Sequence, residues 1–199
     1  MGLGLAAFLA VWTLMMAAMM APSVAPVGML YARTVQADRG PRLAGFGAAY
    51  LAVWALAGIP AFLLALAVGQ VAMGDPKLAR LGLAGVLLVA GVYELSPLKR
   101  ACLRHCRSPL GLLMHYASFR GALRDVRAGL HHAGYCLGCC WALFAVMVAV
   151  GTMSIIAMVV LAAVVFVEKR WLYGVAFSRA LAVLALALAA VLAVTALTA

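Results

Sequence analysis

Apolar blocks long enough to cross a bilayer recur along this 199-residue chain, near residues 5–30, 43–70, 79–97, 131–150, 152–168 and 175–198. A helix needs about 20 apolar residues to cross a ~30 Å hydrocarbon layer, where every backbone polar group must be satisfied internally. The pattern predicts an all-α fold, a polytopic membrane helical bundle of about six transmembrane helices forming a single integral membrane domain over 1–199. Hydrophobic residues make up 68% of the chain and charged residues 10%, so no soluble domain is left over. The boundary between the fourth and fifth spans falls at Gly151-Thr152. The apolar run from Ala133 to Val167 is 35 residues, which as one helix is about 52 Å, too long for one crossing and suited to a tight hairpin. No Lys or Arg precedes Arg33, so the positive start of a secretory signal is missing and the first span is expected to be retained.

The basic residues set the orientation. Arg33, Arg39 and Arg42 lie between the first two spans, and Lys99, Arg100, Arg104, Arg107, Arg120, Arg124 and Arg127 between the third and fourth. Lys169, Arg170 and Arg179 follow the fifth, whereas the opposite side has only Lys77 and Arg80. Thirteen against two over alternate loops is a positive-inside signal, placing both termini outside the cytoplasm of a bacterial inner membrane. The net charge of +10 therefore points to anionic lipid of the bilayer as a partner, not to nucleic acid.

The one sizeable extramembrane segment runs from Ser96 to His132. Ser108-Pro109 makes a helix start, and Leu110, Leu113, Met114 and Phe119 interleave with polar residues, predicting a short cytoplasmic helix in the interface plane. Pro22 and Pro26 predict a kink or unwound turn late in the first span, and Pro60 a bend in the second.

Five cysteines fall into two sets, Cys102 and Cys106 in "CLRHC" and Cys136, Cys139 and Cys140 in "YCLGCCW". Both sets lie toward the cytoplasmic side, where disulfides are rare and thiolate chemistry is open. In a helix starting near Leu130, His132, Cys136, Cys139 and Cys140 share one stripe. Cys102, His105 and Cys106 share a side if their connector is also helical. A buried cysteine is also a small hydrophobe, a reading that fits one thiol better than a triplet.

Two carboxylates sit in apolar helices, where ionisable groups are costly and face a partner or cavity. Glu94 stands near Pro97, with Lys99 or a metal as its counter-charge. Glu168 precedes Lys169-Arg170, which suggests an interfacial ion pair. Met15, Met16, Met19 and Met20 fall within six residues of the first span. Methionine fills gaps in cores, but thioethers also bind soft monovalent metal such as Cu(I). The two Met-x-x-x-Met spacings resemble the methionine filter of eukaryotic copper-uptake channels.

The stretches "WTLMMAAMMAPSVAPV", "YELSPLKRACLRHCRSPL", "GLHHAGYCLGCCWAL" and "FVEK" are similar to those of a bacterial family of unknown function, catalogued as predicted metal-binding integral membrane proteins. The resemblance covers almost the whole chain. It implies a signature of Met15, Met16, Met19, Met20, Pro22, Glu94, Pro97, Lys99, Cys102, Cys106, Arg107, Cys136, Cys139, Cys140, Trp141 and Glu168. Two positions depart from the family pattern: Ser154 stands where an amide is usual, and Phe144 where a methionine is common.

Three functions compete. The first is a soft-metal membrane protein, copper favoured, with Met15, Met16, Met19, Met20, Glu94, Cys102, Cys106, His132, Cys136, Cys139 and Cys140 as candidate ligands. The second is a non-catalytic accessory subunit of a larger membrane complex or a homo-oligomer, packing through the Ala-rich face of "LAVLALALAAVLAV". The third is a thiol-redox enzyme using Cys136 and Cys139, a weaker fit because such pairs normally stand at an exposed helix start beside an activating charge. Phosphate loops, nucleophile elbows and dinucleotide fingerprints are missing from the sequence.

Overall fold

The computed structural model describes residues 4–35, 38–151 and 155–198. The described residues form eight helices and no strand: α1 (Leu5–Thr34), α2 (Arg39–Gly74), α3 (Pro76–Leu95), α4 (Pro97–Cys106), α5 (Pro109–Ala117), α6 (Arg124–Ala149), α7 (Ile155–Arg170) and α8 (Gly174–Thr198). Five of them, α1, α2, α3, α6 and α8, are long and apolar enough to cross a membrane. Over the remaining expected span, 152–168, the described residues form α7, whose 16 residues amount to about 24 Å at 1.5 Å per residue and which is not one of those five. Residues 152–154, including the Ser154 departure, lie outside the described residues.

Helix α6 is the hub. It packs against α2, α3, α4 and α7, while α3 lies along α8 and α1 against α2 and α7. The α2–α6 contact depends on Gly129, because a Cβ there would run into the Phe46 carbonyl oxygen and come within 3.0 Å of Ala49 Cβ. Near their basic ends the same helices are stapled by Asp125. Its carboxylate accepts hydrogen bonds from Arg42 Nε at 3.1 Å and from the Tyr31 hydroxyl, joining α2 and α1 to α6. The expected break after α6 is realised at Gly151, whose φ of 76° lies in the left-handed region that glycine adopts without a Cβ clash.

The unwound turn expected past the methionines does not occur, because α1 is helical through Pro22 and Pro26. A proline removes one backbone donor, but in a bundle the neighbouring helices and local adjustment of the turn can satisfy the freed carbonyl.

The connector between α3 and α6 holds two short helices, α4 and α5, instead of one. Ser96 caps α4 by accepting from the Lys99 backbone N–H at 3.1 Å, and Pro97 opens its first turn. At α5, Ser108 occupies the cap position but its side chain makes no cap hydrogen bond, leaving Pro109 as the start signal.

Candidate metal centre

At 100° per residue, His132, Cys136, Cys139 and Cys140 lie within an arc of about 100° on α6. That arc faces inward: the three thiols are each 1% exposed, and His132 is buried against Phe46 and Tyr50. Helix α4 brings a second thiol pair to the same place. Cys106 Sγ lies 3.8 Å from Cys139 Sγ, and Cys102 Sγ lies where a Cβ on Gly138 would approach within 2.9 Å. Cys139 and Cys140 sulfurs are 3.2 Å apart, and Cys139 also meets the Cys136 carbonyl at 3.1 Å.

The opening methionines join this core. Met15, Met16, Met19 and Met20 are all buried, in one cluster with Cys102, Cys136, Cys139, Cys140, Trp12, Trp54 and Phe144. Met20 places its Sδ 3.9 Å from Cys136 Sγ. Two sulfurs bound to one ion at ~2.3 Å and a tetrahedral angle are roughly 3.8 Å apart. The Met20–Cys136 and Cys106–Cys139 pairs both stand at that separation. Phe144, the departure from the family pattern, stacks edge-on against Trp12 and Trp54 in the same core.

The sequence reading missed Lys169. Its Nζ lies 3.0 Å from Cys136 Sγ and 3.8 Å from Met20 Sδ, and the residue is 6% exposed. No carboxylate among the described residues lies within ion-pair distance of it. The signal was the Lys of "FVEK", which passed as a topology determinant like any cation at a helix end. Tyr50, also missed, places its hydroxyl 3.1 Å from Cys136 Sγ.

The carboxylates go elsewhere. Lys99 Nζ donates to Glu94 Oε1 at 2.8 Å and to Glu168 Oε2 at 2.9 Å, and Ser178 Oγ donates to Glu94 Oε2 at 2.6 Å. Both Glu94 oxygens are thereby engaged within the protein, so this candidate ligand stands in an ion network apart from the sulfurs, with Lys99 as its counter-charge. The expected interfacial pairing of Glu168 with Lys169-Arg170 is likewise corrected. Consecutive helical residues diverge by 100°, so Glu168 faces Lys99 while Lys169 faces α1 and α6.

Helix α4 is not one of the five helices long and apolar enough to cross a membrane. Burial alone would lower the Lys99 ammonium, but the carboxylates of Glu168 and Glu94 outweigh it and hold the group above its ordinary value. Burial pushes the Cys102 thiol up. Burial, followed by the nearby His115, pushes the His105 imidazole down.

Among the described residues no three His, Cys, Asp or Glu side chains form a ready-made metal site. The sulfurs are thus neighbours in pairwise contact, not a closed ligand set. All five cysteines are free thiols. A family model described as PpoB2, copper chaperone, matches residues 9–192. No curated protein and no solved structure matches the chain.

Proposed function

The chain belongs to the PpoB2 copper chaperone family, and from that premise we propose that it carries Cu(I) as cargo in the buried sulfur cluster. Cys136, Cys139 and Cys140 of α6, Cys106 of α4 and Met20 of α1 supply the donors. Met15, Met16 and Met19 extend a thioether lining along α1, and Cys102 and His132 stand at the edge of the cluster. The observation that carries this reading is the convergence of sulfur from three helices, with separations of 3.8 and 3.9 Å between partners far apart in sequence. Soft thiolate and thioether donors favour Cu(I) over harder ions.

Lys169 fits the charge of such a cargo. Cu(I) held by two thiolates carries one net negative charge, which is costly in an apolar core unless paired. The ammonium beside Cys136 supplies the balance. Burial also sets this cluster apart from thiol oxidoreductases, since Cys136 and Cys139 lie in the middle of α6 instead of at an exposed helix start.

The setting we propose is the bacterial inner membrane, with both termini outside and the thiols toward the cytoplasmic side. The five long apolar helices and the segregation of basic residues support it. The test is anaerobic competition of the full chain, in detergent micelles, against a chromophoric Cu(I) chelator, with X-ray absorption to identify the donor atoms. The first equivalent of copper is expected in a sulfur-only shell. Failure of the reduced chain to compete for copper overturns the proposal.

A further inference from the structure

The sulfur cluster is buried, so copper needs a first contact nearer the surface. Three histidines that play no part in the sulfur cluster meet beside it, one from each of α4, α5 and α6. The His131 ring lies 4.7 Å from that of His115 and 5.4 Å from that of His105, centre to centre. Two imidazoles bound at ~2.0 Å to one tetrahedral ion have ring centres roughly 5 Å apart. His105 Nε2 and His131 Nδ1 are buried without a hydrogen-bond partner among the described residues. An unpartnered buried nitrogen costs free energy that a phenyl ring in the same place would not. Packing alone therefore explains the rings, including the stacking of His105 on Tyr135 at 3.9 Å, but not their nitrogens.

Burial increases along the row. His115 is exposed, His105, His131 and Cys106 are half-buried, and Cys139 is buried with its sulfur 3.8 Å from that of Cys106. We propose that His105, His115 and His131 form a second, imidazole-based copper site at the mouth of the sulfur cluster, where the ion docks before Cys106 takes it inward. The docking site itself stands on the histidine geometry; the inward step rests on the function proposed above. His131 meets each of the other two rings without a closed ligand set yet forming among the described residues, so binding turns them about their side-chain torsions. Copper stays Cu(I) throughout. As Cys106 sulfur bonds to the ion, one imidazole nitrogen releases it, and the displaced thiol proton passes to that nitrogen.

The experiment titrates Cu(I) anaerobically into the full chain in micelles and reads donor type at each equivalent by X-ray absorption. The wild type is expected to take a second equivalent with nitrogen donors. The His105→Phe/His115→Phe/His131→Phe variant keeps the aromatic packing and is expected to lose that equivalent while retaining the sulfur-bound one. His115→Ala, at an exposed position, tests the same point without disturbing the core and should weaken nitrogen-bound copper about tenfold or more. Nitrogen-bound copper that persists in the triple variant, or is unchanged by His115→Ala, overturns the inference, as does a wild type showing no nitrogen-bound copper. If the sulfur-bound equivalent is missing while nitrogen-bound copper is present and lost in the triple variant, the cargo reading fails and the docking site stands.

Discussion

Replacing Lys99 by methionine tests what the buried ion network contributes to stability. Lys99 is fully buried, and its ammonium is the cation facing both Glu94, at 2.8 Å, and Glu168, at 2.9 Å. Methionine matches the length of the aliphatic stem but leaves two buried carboxylates without a positive partner. Removing one member of a buried ion pair costs about 3–5 kcal/mol, because the remaining charge stays desolvated. Two stranded carboxylates do not double this figure, since one can take up a proton instead of remaining charged. Lys99→Met is therefore expected to lose about 3–5 kcal/mol. The triple variant Lys99→Met/Glu94→Gln/Glu168→Gln should recover much of that, because neutral amides in an apolar pocket cost less than unpaired charge. The assay is denaturant unfolding in mixed micelles followed by tryptophan fluorescence. Lys99→Met within about 1 kcal/mol of wild type, or a triple variant less stable than Lys99→Met alone, refutes the reasoning.

Met20→Leu is a volume-conserving exchange that should cost less than about 1.5 kcal/mol of stability yet weaken Cu(I) binding about tenfold or more, as read by chelator competition. Half-buried Cys106 should be alkylated by maleimide before the buried Cys136, Cys139 and Cys140, with mass spectrometry of timed samples giving the order. Gly129→Ala pushes a methyl group into the Phe46 backbone and should destabilise the α2–α6 contact by about 1–3 kcal/mol, seen as a lower unfolding midpoint.

The helical architecture was legible because long apolar blocks are read directly from the sequence, and five helices long and apolar enough to cross a membrane return from them. The α6 stripe was legible for a similar reason, since helical periodicity alone puts Cys136, Cys139 and Cys140 on one face. What the sequence hid are partners far apart in the chain. Glu168 and Lys169 are adjacent, so local reading pairs the carboxylate with its neighbour, whereas helical divergence sends them to different clusters. Glu94 reads equally well as a ligand or an ion-pair member until Ser178, 84 residues away, is found on its second oxygen. The continuity of α1 through Pro22 and Pro26 was hidden because proline rules drawn from water overstate the damage where neighbouring helices replace the solvent.

The ion network also has a consequence for biogenesis. Lys99 waits 69 residues for Glu168, and Glu94 waits 84 for Ser178. At 5–20 residues per second of synthesis, roughly 3–17 s pass between the first half of the network and the last. Helix α4 already has α6 to pack against when α7 and α8 arrive, so what the late helices add is the second carboxylate on Lys99 and the hydroxyl on Glu94. A chain that stops before α7 therefore carries all five thiols but leaves Lys99 without Glu168 and Cys136 without the Lys169 ammonium, so both buried clusters stand short of a charge partner until translation is nearly over.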